Sequence, residues 1–170
     1  MKRIDILSAR LQQADYDYIK QVSDSQNFLT ERKLIQRIIR LADIRKEDTV
    51  LEIGTGKGHL TEAICQRAGK VCSVEIDRKL LESAKKRLSK FENAELIPGD
   101  FMRYRLPEKG NYKVFANIPF FLTTQIVEKL TQGKNAPSDM WLVMEKGRQN
   151  GSWACLWRRR SLWNLRCGGR

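Results

Sequence analysis

Thr49-Val50-Leu51-Glu52-Ile53-Gly54-Thr55-Gly56-Lys57-Gly58 is the stretch that decides the fold. Five residues with strand character run directly into glycines at alternate positions, and a helical apolar pattern follows. A glycine loop between a strand and a helix lets the backbone turn tightly and approach a ligand closely. The spacing is G-x-G-x-G. It fits neither the dinucleotide fingerprint G-x-G-x-x-G nor a P-loop, because Lys57 lacks the G-x-x-x-x-G that a P-loop needs before it.

Outward from this loop, short apolar runs alternate with amphipathic segments. Strands are predicted at 49–53, 71–76, 94–97, 112–116 and 140–144, with helices at 58–68, 78–88 and 123–130. Leu80, Leu81, Ala84 and Leu88 share one face of the second helix. This alternation predicts an α/β fold, a parallel sheet with helices on both faces. Upstream, Thr30 is the expected cap of a helix whose stripe of Leu34, Ile35, Ile38, Ile39 and Leu41 is read as core. Residues 1–20 read as a peripheral helix or a mobile arm.

A chain of 170 residues with 41% hydrophobic content predicts one domain. It contains no apolar run of about 18 residues and opens on polar, acidic sequence, so no membrane partner and a cytoplasmic location are expected. The net charge of +12 suits a polyanion, nucleic acid or an anionic membrane surface, and charge alone does not choose between them. Half of that charge lies in residues 147–170, which hold six arginines and no acidic residue. Cys65, Cys72, Cys155 and Cys167 lack paired ligand spacing, so no metal is expected and the thiols are read as structural.

The chemistry is read at the strand ends. Glu75, twenty-one residues after Gly54, closes the second strand, where a carboxylate can accept both hydroxyls of an adenosine ribose. Nicotinamide enzymes share that feature, and a solvated strand-end carboxylate is the bland alternative. Asp100 ends the third strand and can receive an adenine amino group, with Phe101 near the ring. Acidic residues ending three successive strands face one crevice of a doubly wound sheet. The fourth strand ends in Asn117-Ile118-Pro119-Phe120. There an amide and a backbone carbonyl can bind an exocyclic amine, while Phe120 offers a face to a flipped base. A turn with an incidental aromatic is the alternative. His59 is read as structural.

Five segments taken in order, Ser25-Gln26-Asn27-Phe28-Leu29-Thr30, Glu52 through Thr61, Glu75-Ile76-Asp77, Gly99-Asp100-Phe101 and Asn117-Ile118-Pro119-Phe120, resemble the Erm-type ribosomal RNA adenine N6-methyltransferases. The resemblance covers about residues 23–147. It implies a Rossmann-like class I methyltransferase fold and S-adenosylmethionine as cofactor. On the same resemblance Asn27, Leu29, Gly54, Gly56, Glu75, Asp100, Phe101 and Asn117 line the cofactor site, and Asn117 and Phe120 carry catalysis. The implied substrate is an adenine of large-subunit ribosomal RNA. Its methylation in that family blocks macrolide, lincosamide and streptogramin B binding. A monomer is expected.

Three segments are therefore expected: an arm at 1–22, the cofactor domain at 23–147 and an aberrant basic tail at 148–170. The family pattern continues with an Ala-Lys-Arg-Phe type segment, further strands and a helical C-terminal domain that grips RNA. This chain reads Arg148-Gln149-Asn150-Gly151-Ser152-Trp153-Ala154-Cys155, with no strand or helix period. The last strands and the helical domain are expected to be missing, and the fifth strand to expose an edge. Two readings follow: an adenine methyltransferase changed after residue 147, or a non-catalytic RNA- or DNA-binding relative of the same fold. Codons for Gln149 through Cys155, read one base earlier, can give Ala-Lys-Arg-Phe-Met-Gly-Met, which predicts a change of reading frame. Sequencing the coding DNA tests this: a family-like continuation is expected in the shifted frame, and its absence rejects the frame change.

Overall fold

The computed structural model describes residues 5–6, 32–145, 152–158 and 165–166. In chain order the elements are β1 (Asp5–Ile6), α1 (Arg32–Leu41), β2 (Thr49–Ile53), α2 (His59–Cys65), β3 (Lys70–Glu75), α3 (Arg78–Leu88), β4 (Ala94–Pro98), β5 (Lys113–Pro119), α4 (Thr123–Gln132), β6 (Asp139–Glu145), β7 (Ser152–Arg158) and β8 (Leu165–Arg166). Single 3-10 turns at Phe101–Arg103 and Phe120–Leu122 follow β4 and β5. Local chemistry explains the clearest helix, α3. The Asp77 carboxylate accepts from the amides of Lys79 and Leu80 at 2.7 and 3.2 Å. Lys85, Lys86 and Arg87 complement the dipole at its far end.

The main sheet has the order β4-β3-β2-β5-β6-β7. The first five strands are mutually parallel. Val50, Leu51, Val71, Val114 and Phe115 are all buried, as strands covered on both faces require. Succession runs one way from β2 to β4 and the other way from β5 to β6. Right-handed crossovers therefore place α2 and α3 on one face and α4 on the other. Ile35, Ile38 and Ile39 of α1 join the same core, as expected. The anticipated cap Thr30 lies outside the described residues.

Two expectations about strands are corrected. β5 does not stop at Ala116 but runs on through Pro119, because its ladder with β6 continues through Asn117↔Val143, Ile118↔Met144 and Pro119↔Glu145. Nor does the fifth parallel strand, β6, expose an edge. Residues 152–158, read as part of a tail without strand character, pair antiparallel along its whole length, from Glu145↔Ser152 to Asp139↔Arg158. The ladder is made by backbone groups, so it needs no alternating side-chain pattern, and Trp and Leu favour extended backbone. Similarly, Asp5 and Ile6 of the expected arm pair with Arg166 and Leu165. Among the described residues no helix follows α4.

At the opposite end of the strands, Lys113 locks β5 to the α1–β2 connection. Its ammonium donates to the Ala42 and Asp43 carbonyls at 3.3 and 2.8 Å and to the Asp48 carboxylate at 2.7 Å. With side chains only 11% and 20% exposed, this ion pair is shielded from solvent. Lys113→Met is expected to lower unfolding free energy by about 2–4 kcal/mol, since it strands a partly buried carboxylate. Urea denaturation checks this, and a loss below about 0.5 kcal/mol would show the pair to be an ordinary surface contact.

Candidate functional site

The reversal of strand order lies between β2 and β5, and open α/β sheets bind ligands outside the carboxyl ends of strands at such a point. The geometry there is set by divergence. Pairing of β2 with β5 ends at Ile53↔Ala116, after which β5 continues along β6 while the chain leaving β2 turns toward β3. The Gly54 amide donates to the Val74 carbonyl at 2.9 Å. Gly54 has φ +85°, and a Cβ there would stand 3.3 Å from the Asn117 carbonyl oxygen. Glycine is thus required twice, by the left-handed backbone and by the close approach.

Glu75 is 7% exposed and holds the loop from the β3 side. Its carboxylate accepts from the Gly56 amide at 2.8 Å and from the Asp77 amide at 2.9 Å. Each carboxylate oxygen retains acceptor capacity, so the brace leaves Glu75 able to bind hydroxyls as well. The Gly99 amide bonds to the Glu75 carbonyl at 2.8 Å, bringing the end of β4 alongside. Asp100, next in the chain, is exposed and caps the following 3-10 turn through the Met102 amide at 2.8 Å.

Asn117 supplies a different kind of signal. Its side-chain carbonyl oxygen is buried without any hydrogen-bond partner, and so is the Thr123 hydroxyl. Buried polar atoms normally find partners; one Glu52 carboxylate oxygen is also unpartnered, and of these three atoms among the described residues Asn117 Oδ1 is the one on a strand past the last β2–β5 pair, where the switch point opens. Gly54, Gly56, Glu75, Asp100 and Asn117 therefore gather around one edge of the sheet. Phe101 lies deeper than Asp100: its ring is 6% exposed and packs in the core, stacked 6.3 Å from Tyr104 with the Lys129 ammonium 5.6 Å from its centroid. An aromatic at a strand end is pulled inward when apolar neighbours are available there, so this ring does not stand open beside a ligand. The backbone of Phe120 opens the 3-10 turn after β5. Asn27 and Leu29 lie outside the described residues.

Two features escaped the sequence reading. Ile76, Met102 and Phe121, exposed by 71%, 37% and 76%, follow β3, β4 and β5 and leave apolar surface along the same edge. An apolar residue just beyond an acidic strand end was the available signal for Ile76. Beneath the glycine loop, Glu52 is 1% exposed in a cross-sheet row between Ser73 and Phe115. It accepts from the Thr61 and Ser73 hydroxyls, both at 2.6 Å, and Thr55 of the loop joins Ser73 at 2.5 Å. Burial pushes its carboxyl up to about 7 against these stabilising hydrogen bonds. His59, half-buried, has its imidazole held below its ordinary range, by burial first and the neighbouring Arg87 second. Burial likewise pushes the Cys65 and Cys72 thiols up, to about 12 and about 11, consistent with structural roles.

Comparison with known proteins agrees with this geometry. The sequence pattern of a family described as ribosomal RNA adenine dimethylase matches residues 19–155. The chain is 39% identical over 128 residues to an rRNA adenine N-6-methyltransferase of Escherichia coli, covering 75% of this chain and 52% of that protein. The same identity and coverage hold for the protein of that name from Enterococcus faecalis. The chain thus spans about half the length of the curated relatives it matches. Among solved structures, a dimethyladenosine transferase from Plasmodium falciparum is similar with TM-score 0.62 and 30% identity, over 68% of this chain and 42% of that one. The crystal structure of the 23S rRNA methyltransferase ErmE is similar in fold, with TM-score 0.69 and 24% identity over 82% of this chain and 71% of that one.

Glu52 gives the site a measurable pH signature. Its folded pKa of about 7 exceeds the ordinary 4.5, so the folded state holds the proton more tightly. That contribution is complete below about pH 4.5 and is lost as pH rises toward 7, by roughly 3 kcal/mol at most. Glu52→Gln is expected to flatten the decline in stability between pH 5 and 8, measured by urea unfolding. An unchanged decline would place the titration elsewhere.

Proposed function

The chain belongs to the ribosomal RNA adenine dimethylase family, and from that premise we propose that it binds S-adenosylmethionine at the β2–β5 switch point and methylates N6 of an adenine in ribosomal RNA. The observation that carries this reading is the unpartnered, buried Asn117 side-chain oxygen beside the close approach of Gly54. It is an acceptor set where an exocyclic amine can reach it.

The residues fit the cofactor. Glu75 retains acceptor capacity for ribose hydroxyls, Asp100 is open to an adenine amine, and exposed Ile76 and Met102 offer apolar surface to a planar ring. Gly54 and Gly56 give it backbone access, and the motif resemblance adds Asn27, Leu29 and the backbone of Phe101. Once bound, the cofactor would supply an electrophilic sulfonium methyl to N6 and remain as its thioether, and the N6 proton would pass to water. The protein's share is positioning. The N6 lone pair is delocalised into the ring, and hydrogen bonds from N6–H to Asn117 and to the Ile118 or Pro119 carbonyl hold it nearer a tetrahedral geometry. Phe120 then stacks on the adenine.

RNA as substrate is supported by charge. Helix α1 carries Arg32, Lys33 and Arg40, all exposed, and no acidic residue. Arg32 and Lys33 sit in its first turn, against the dipole, at a cost of roughly 0.3–1 kcal/mol each that a phosphate would reverse. The finer reading places the target in the large subunit, with protection from macrolides, lincosamides and streptogramin B as consequence. It rests on the order and wording of the Asn27, Gly54 and Asn117 motifs. On the same reading the chain acts as a cytoplasmic monomer. The rival, a non-catalytic nucleic-acid-binding relative, gains support only from the altered sequence after residue 147.

Calorimetric titration of S-adenosylhomocysteine into the full chain tests the cofactor site. Saturable binding is expected, weakened at least about ten-fold by Asp100→Ala, the equivalent of about 1.4 kcal/mol. A folded chain without saturable binding rejects the site. Labelled methyl transfer to large- and small-subunit rRNA fragments then separates the readings: transfer to the first supports the finer proposal, transfer only to the second overturns it, and none despite cofactor binding favours the rival.

A further inference from the structure

Phe121 is the most exposed large apolar side chain among the described residues, 76% open to solvent. It occupies the middle of the 3-10 turn that joins the end of β5 to α4, four residues after Asn117. The turn is anchored on either side: Asn117–Pro119 are still paired with β6, and Ile126 and Leu130 bury α4. An aromatic ring in such a place leaves apolar area in water that burial would remove at roughly 25 cal/mol per Å², and that area is open to a partner presenting a flat apolar face.

The chemistry proposed for the site creates a need that this ring meets. A target adenine must leave its stack to reach Asn117, and its departure uncovers a face of the neighbouring base. Single-stranded RNA is recognised largely by stacking unstacked bases on aromatic side chains. Phe120 is engaged by the target itself on that reading, whereas Phe121 points its open ring to the solvent side of the same turn. We propose that Phe121 is a stacking platform for the nucleotide next to the target adenine, a residue that binds RNA without touching the cofactor or the reacting amine. The inference rests on the RNA methyltransferase reading of the site.

A consequence is that Phe121 governs affinity for RNA and leaves the chemical step alone. The test uses the full chain and a short RNA hairpin with an unpaired loop adenine, with 2-aminopurine in the adjoining position as fluorescent reporter. Wild type is expected to quench the reporter on binding. Phe121→Ala and Phe121→Leu are expected to lose the quench and weaken RNA binding about ten-fold, Leu showing that apolar contact alone does not suffice, while Phe121→Trp retains both. Affinity for S-adenosylhomocysteine stays unchanged in all three and, where transfer is measurable, so does single-turnover rate at saturating RNA. Equal quenching and affinity in wild type and Phe121→Ala overturns the proposal, as does failure of wild type to bind the hairpin. Unchanged RNA affinity combined with altered self-association would reassign the ring to a protein contact and also overturn it. Failure of the methyltransferase reading is distinguishable, because it abolishes transfer or cofactor binding and leaves the quench in place.

Discussion

The approach of Gly54 to the Asn117 carbonyl is the constraint from which the rest of the site follows. Two parallel strands cannot separate without something to hold them apart and something to pull them. β6 holds β5 straight through Pro119, and the bond from the Gly54 amide to Val74 draws the other chain toward β3. The crevice is the space between these diverging paths. Only a residue without a Cβ passes the narrowest point, where an added carbon would sit 3.3 Å from a backbone oxygen that cannot move without breaking the β5–β6 ladder.

The loop that starts at Gly54 would be floppy on its own glycines, and two carboxylates restrain it from opposite sides. Glu75 grips its middle through the Gly56 amide. Glu52 lies underneath, joined through Ser73 to Thr55 of the loop and directly to Thr61 of α2. Burying that carboxyl costs free energy, which its raised pKa records. The return is positional: one buried network ties the loop, β2, β3 and α2 into a unit. Hydrogen bonds from Thr61 and Ser73 to the buried Glu52 carboxylate fix these elements relative to one another, and pre-set geometry is what a site acting by positioning requires.

Much of this arrangement was legible in the sequence because it rests on period and spacing. The strand β2 falls where its strand character placed it, and the helix α3 where the shared face of Leu80, Leu81, Ala84 and Leu88 predicted it. Gly54, Gly56, Glu75, Asp100 and Asn117 share an edge because each terminates a βα unit. What was hidden depends on partners distant in sequence. Nothing around residue 117 reveals that β6 will carry β5 to Pro119. No local pattern shows that Ser152–Arg158 will cover the far edge, since backbone ladders accept almost any extended segment. The Phe101 ring was placed by its neighbours in the motif, whereas its burial is decided by Tyr104 and Lys129. Glu52 read as one more acidic strand end, yet its side chain lies under the loop and not in the crevice.

Division of labour within the fold follows from the same geometry. Every described residue proposed to touch the cofactor lies between Gly54 and Asn117, on strands whose ladders close within that span together with β6. The described part of the proposed cofactor site is therefore set by the sheet around its switch point. Binding a polyanion makes a different demand, since phosphate contacts are spread over the surface and add up individually. The basic face of α1 and the exposed ring of Phe121 lie on the outside of that sheet, at positions free of the constraints that fix Gly54. A fold arranged this way can keep the crevice fixed while the basic and aromatic groups around it vary.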